Sequence, residues 1–254
     1  MFRNLQIIAV FVVVLCVAAD ARAKSIAVNF MADSWGGGPF PIESFETAGL
    51  VPQQNWNNVN PMVDDAPPDV RGPLPGKLVD NTGVDSGAEI IWINGHNTTG
   101  TDGGNTTPNE RLYRAAVNGP SFMLPSPQLQ FTVSNVPYAA YDVYAYLTGF
   151  GFDAEASARI GSEEYFYEQS ADFTTDGFIR ATSTAPENMP LATYALFEDV
   201  TGDSFTLDII KQGGNRGGLG GLQIVEVPEP STLVLLCIGA TGLVACAWRK
   251  RRQR

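Results

Sequence analysis

Residues 204–210 read Ser-Phe-Thr-Leu-Asp-Ile-Ile, with Phe205, Leu207 and Ile209 on one face and Thr206 and Asp208 on the other. A period of two with a single apolar face is the pattern of a half-buried antiparallel strand. The same signal recurs on both sides of it. Leu129 to Val136 alternates, Tyr141 to Leu147 (YDVYAYL) is aromatic and alternating, and Ala156 to Ile160 leads through Gly161-Ser162 into Glu164 to Glu168, a hairpin. Phe178 to Thr182, Ala192 to Phe197 and Leu219 to Val227 read as further strands. Upstream, Ser25 to Met31 puts Ile26, Val28 and Phe30 on one face, and Ala88 to Asn94 (AEIIWIN) is nearly continuous in apolar character, as a strand covered on both faces would be. Glu46 to Asn58 has strand-like pieces broken by Gly49 and Pro52.

Between these runs lie turn and loop signals. Pro61, Pro67, Pro68, Pro73 and Pro75 exclude regular structure from 61–76, because proline lacks the donor that a ladder or helix needs. The stretch GHNTTGTDGGNTTPNE after Asn94 reads as a polar loop. Pro108 to Asn118 is the one expected helix, with Thr107 as N-cap, Pro108 at its first position, Glu110 in its first turn and Gly119 ending it. About ten short strands and one helix predict an all-β chain folded as an antiparallel two-sheet sandwich.

Composition agrees once the ends are set aside. Residues 24–226 hold 9 Lys and Arg against 25 Asp and Glu, a formal charge of −16, while the whole chain carries −11. Such an acidic body repels nucleic acid and anionic lipid, so no nucleic-acid partner is expected. Cys16, Cys237 and Cys246 all lie in the apolar ends, so the body has neither a disulfide nor a cysteine-based zinc site. About 200 residues suffice for one domain held by its core alone.

The ends read as targeting segments. Arg3, an apolar run from Leu5 to Ala19 and the small residues Ala21 and Ala23 predict a signal helix over 1–23, cleaved after Ala23. At the other end, Ser231 to Trp248 is an apolar run of 18 residues, about 27 Å as a helix, which can just span a hydrocarbon layer of about 30 Å. Arg249, Lys250, Arg251 and Arg252 follow at once and hold the C-terminus in the cytoplasm. The division is therefore 1–23 signal peptide, 24–226 β-sandwich domain and 227–254 sorting segment.

Val227, Pro228, Glu229 and Pro230, then the apolar run, then the basic cluster of 249–254, resemble the PEP-CTERM sorting signal in order and spacing. That resemblance implies a bacterial source, export, a C-terminal transmembrane helix occupied at least transiently, recognition by an exosortase beside the export machinery, and delivery to the cell envelope, the cell surface or an extracellular polysaccharide matrix. The body, through SIAVNF, GLVP, NWNN, ERLYRAAVNG, VSNVPYAAYDVYAYL and GGLGGLQIV, is similar to galactose-binding-like jelly-roll modules. The similarity implies a jelly-roll fold and glycan binding, and it carries over no functional residues.

Searching for chemistry gives little. His96 is the one histidine, and no G-x-S-x-G elbow supplies a serine for it. Asp203 and Ser204 read as a turn before a strand. No catalytic residue and no metal ligand is assigned, and the body is read as non-catalytic. A structural calcium on Asp80, Asn81 and Asp85, or on Asp102 and Asn105, is the one cofactor considered. For a sugar, an exposed aromatic face beside amides is the expected contact, which nominates Trp35 among glycines and Trp56 with Asn57 and Asn58. The alternative function is a secreted glycoside or ester hydrolase of the same sandwich fold, using a pair of the many carboxylates.

Overall fold

The computed structural model describes residues 23–31, 40–59, 70–71, 77–99, 106–119, 129–169 and 172–228. The expected signal helix and membrane span lie outside them, and among the described residues no helix is long and apolar enough to cross a membrane. The described residues form twelve strands and two short helices, in order β1 (Ser25–Phe30), β2 (Asn57–Val59), β3 (Val70–Arg71), β4 (Glu89–Ile93), β5 (His96–Thr99), α1 (Pro108–Arg114), β6 (Ala115–Asn118), β7 (Leu129–Ser134), β8 (Ala140–Ile160), β9 (Glu163–Gln169), α2 (Phe173–Asp176), β10 (Leu191–Ala192), β11 (Tyr194–Thr201) and β12 (Ser204–Glu226).

Two strands organise the rest. β8 has 21 residues and β12 has 23, and they pair antiparallel from Leu207↔Ile160 to Glu226↔Tyr141. The register shifts between Lys211 and Gly213, Gly214 and Arg216, and Leu219 and Gly221, where bulges bend the ladder without breaking it. Before the bend β12 pairs with β7 and β8 with β9, while after it β12 pairs with β1 and β8 with β11. One hydrogen-bonded sheet is thereby folded over into two facing layers. The four strands expected at 141–147, 156–160, 204–210 and 219–227 are the halves of these two. β1 with β2 and β9 with β10 run parallel, so the sheet is mixed.

Side chains from both layers meet between them. Phe30 of β1 lies 5.2 Å from Phe131 of β7 and 5.6 Å from Trp92 of β4, while Tyr141 meets Phe205 at 5.8 Å and Tyr165 meets Phe197 at 5.5 Å. Alternation sorts the residues: Tyr141, Val143, Ala145 and Leu147 join this core, while Tyr144 and Tyr146 point to the outer face of the layer.

That outer face is covered by a second, smaller core. Trp56 of the segment 40–56, Leu112 and Tyr113 of α1 and Phe173 of α2 are buried there against Tyr146. The segment is tied down by polar bonds: Phe40 O accepts from Asn29 Nδ2 at 3.0 Å, Ile42 N donates to Asn58 Oδ1 at 2.9 Å, Gly49 N to Asn109 Oδ1 at 2.8 Å and Leu50 N to the Tyr146 hydroxyl at 2.9 Å, and Arg111 pairs with Glu46.

Five local readings change. Val70–Arg71, inside the proline-rich stretch expected to hold no regular structure, pairs with Ile93 and Trp92 as β3. β4, expected to be covered on both faces, leaves Glu89 and Ile91 exposed on one of them. The helix starts as expected, with Glu110 N donating to Thr107 Oγ1 and the Glu110 carboxylate accepting from Thr106 and Thr107 amides. It stops at Arg114, because Ala115–Asn118 is held as a strand by β5 and by Gly218 and Leu219 of β12. The same pairing turns His96–Thr99, read as loop, into β5. Residues 178–182 form only an isolated bridge, Arg180 to Tyr194, after a second helix, α2, capped by Asp172.

Candidate functional site

The two ends of the body meet. Ser25 stands opposite Val225 and Ile26 opposite Ile224, so the expected export cleavage point and the start of the sorting segment lie on adjacent strands. Glu226 N donates to Lys24 O at 2.8 Å, and Val227 N to Ala140 O at 3.0 Å. Pro228 is exposed. Ala21, Glu229, Pro230 and Arg249, Lys250, Arg251 and Arg252 lie outside the described residues, while Ala23 offers its carbonyl to Asn81 Nδ2 at 3.4 Å.

The described residues nominated for sugar contact are engaged within the fold. Trp35 lies outside the described residues. Trp56 is 4% exposed, packs on Tyr146 and donates its indole N–H to Gln53 O at 3.1 Å. Asn57 Nδ2 donates to Ala27 O and Val79 O, and its Oδ1 accepts from Val79 N. Asn58 donates to Ile42 O and accepts from Ile42 N and Asn29 Nδ2. These amides are fasteners between β1, β2 and their flanking segments, so the expectation of a ligand contact at Trp56, Asn57 and Asn58 is corrected: the ring is buried and the amides bind the protein's own backbone.

A different amide of the same segment is not fully used. Gln53 is 4% exposed, and its Oε1 accepts from Gln223 Nε2 at 3.0 Å. Gln223 in turn donates to Val51 O at 2.8 Å and accepts from the Tyr146 hydroxyl. This chain fixes the amide orientation, and Gln53 Nε2 is left buried with no hydrogen-bond partner among the described residues. Such an orphaned donor costs about 1–3 kcal/mol. Gln53 lines a cleft of about 580 Å³ with Ser25, Thr47, Val51, Pro52, Gln54, Asn81 and Ala23. The volume suits a small ligand. The lining has no charged residue and no aromatic ring, so it would recognise a neutral molecule by hydrogen bonds and edge contacts. Nothing in the run QQNWNN singles out Gln53, since only its partners across the sheet reveal the unused donor.

The calcium candidates near the cleft hold the backbone instead. Asp80 is 5% exposed; its Oδ1 accepts from Thr82 N at 2.8 Å, Thr82 Oγ1 at 2.6 Å and Val84 N at 3.1 Å. Burial raises its pKa, but these bonds outweigh burial and hold the carboxyl below its ordinary value. Asn81 Oδ1 lies 3.4 Å from Ser25 N, and Asp85 Oδ1 accepts from Gly87 N at 2.8 Å. Asp102 and Asn105 lie outside the described residues, among which no group of three His, Cys, Asp or Glu could hold a metal ion. Asp80→Ala is expected to cost about 1–3 kcal/mol near neutral pH, through the lost acceptors of Thr82 and Val84. Because the folded-state pKa is depressed, wild type loses this advantage as pH falls through it, and urea unfolding of the two proteins should converge in acid. A constant gap down to the lowest pH would contradict that assignment.

Three comparisons bear on identity. The model of the PEP-CTERM protein-sorting motif matches residues 226–252. The chain carries this motif, which implies export to the cell envelope or surface with an exosortase as processing partner. No curated protein matches. Among solved structures, Bacteroides uniformis beta-glucuronidase 2 covalently bound to cyclophellitol-6-carboxylate aziridine aligns at 12% identity and TM-score 0.40. A calcium binding mutant of that enzyme aligns at 14% and 0.40, and a Bacteroides uniformis beta-glucuronidase at 12% and 0.39. Each alignment covers 80% of this chain and 18% of the other. Likeness at this level assigns neither an activity nor a ligand here.

Proposed function

We propose that the chain is an exported surface or matrix protein whose acidic sandwich is non-catalytic and binds a neutral, hydroxyl-rich glycan at the cleft around Gln53. The reading has two supports. The sorting motif directs the body to the envelope, and the cleft of about 580 Å³, lined by Thr47, Gln53, Gln54 and Asn81 with no charged residue, offers amides and a hydroxyl to a neutral sugar. The negative body keeps away from anionic lipid and nucleic acid, which suits a neutral polysaccharide neighbour. The C-terminal run holds the chain in the membrane before processing, with its basic end in the cytoplasm.

The decisive experiment is a glycan array probed with residues 24–226, followed by titration of the best hit. Gln53→Glu keeps the oxygen that accepts from Gln223 and removes the N–H donors. Binding to neutral glycans is expected, weakened about tenfold or more by this change. Turnover of a glycoside or sugar ester without retained binding would overturn the reading.

A further inference from the structure

The last residues before the sorting motif are held inside the sheet. Val225 faces Ser25 of β1 on one side and Asp142 of β8 on the other, so β12 ends as an interior strand. The ladder continues through Glu226 N to Lys24 O and Val227 N to Ala140 O. The apolar run begins at Ser231, which leaves Pro228, Glu229 and Pro230 as the only link. Three residues reach about 10 Å when fully extended, and the headgroup zone alone takes roughly 5–7 Å on each side of a bilayer. With the apolar run in the membrane, the strand end would stand at its surface. An enzyme that cuts or transfers a peptide needs it extended and free of other partners, and Val225 to Val227 have partners on both sides.

We propose that opening of the β12 end, with Val225 to Val227 leaving β1 and β8, is the gate for processing of the sorting motif. The inference rests on the reading that the motif is processed. Local openings of this kind lie below the free energy of global unfolding, so the folded body itself sets how often the membrane-embedded enzyme can reach the motif.

A disulfide tests the gate. Glu226 N bonded to Lys24 O makes that pair the hydrogen-bonded one, so Ser25 and Val225 form the adjacent close pair, about 4.5 Å apart at Cα and within disulfide range. The body has no cysteine of its own. Full-length chain carrying Ser25→Cys and Val225→Cys is expressed in cells with an active exosortase, and the processed fraction is read by immunoblot. Expected are loss of processing in the oxidised double variant, and wild-type processing in each single variant and in the double variant kept reduced. A Thr132→Cys, Thr206→Cys pair on the far layer, whose hydroxyls are 3.2 Å apart, should be processed normally. A short Gly-Ser insertion between Val227 and Pro228 should speed processing. Normal processing of the locked chain, equal loss with the far pair, or no gain from the insertion overturns the gate alone. An unprocessed wild type overturns the processing reading and the gate with it.

Discussion

Raising the pH from 9 to 11 is expected to remove roughly 5 kcal/mol of the body's stability and to unfold it cooperatively. Four tyrosines produce this. Tyr138 is 5% exposed, and Tyr141, Tyr146 and Tyr167 are fully buried. Burial pushes every one of these phenols up, Tyr141 to about 12, with Asp203 adding to Tyr141 and Asp80 and Glu226 adding to Tyr138. Among the described residues, the hydroxyls of Tyr138, Tyr141 and Tyr167 have no hydrogen-bond partner that could steady a phenolate. Phenols in the unfolded chain ionise near pH 10. Above that value the unfolded state gives up protons that the native state keeps, and each further pH unit costs about 1.4 kcal/mol per tyrosine. The contribution is complete below about pH 10 and falls away towards the folded-state values. Domains of this size hold only about 5–15 kcal/mol in total, so tyrosinate absorbance and loss of the β circular-dichroism signal should rise together in one steep step near pH 11. A gradual tyrosine titration around pH 10 with the sheet intact would show that these rings are open to solvent.

What the sequence could and could not reveal follows from the range of the forces involved. Alternation is local, so β1, β7 and the β8–β9 turn at Gly161-Ser162 are readable directly, as is the cap at Thr107 and Glu110. Strand length is not local. Gly213, Gly214, Gly217 and Gly218 look like a break between two strands, and only the partner strand shows that the ladder passes through them. The Ala115–Asn118 segment has helical composition, but β5 and β12 on either side decide its state. The amides beside Trp56 illustrate the same limit. A tryptophan among asparagines looks like an exposed sugar platform, whereas here the asparagines join β2 to β1 and to the flanking chain, and the ring lies under the segment they hold. The buried amide nitrogen without a partner among the described residues is found only by following Tyr146 to Gln223 to Gln53 across the sheet.

Gly214→Val is expected to cost about 4 kcal/mol or more, enough to leave the body largely unfolded. Gly214 sits at the bend with φ of 56°, paired with Ala154 of β8 and close against Asp153, which has φ of 70°. A Cβ at Gly214 would collide with the Asp153 carbonyl oxygen, a backbone atom that cannot swing away. A β-branched residue also resists positive φ, a strain of about 1–3 kcal/mol by itself. The two costs can be separated within the same protein. Gly161 in the β8–β9 turn has φ of 59°, and a Cβ there would meet nothing within 4 Å. Gly161→Val therefore carries the strain without the collision, and its urea midpoint should fall much less than that of Gly214→Val. The excess measures how closely β8 and β12 must approach where one sheet becomes two layers. Equal losses at the two sites would mean that the bend tolerates a side chain and that the fold-over does not depend on glycine there.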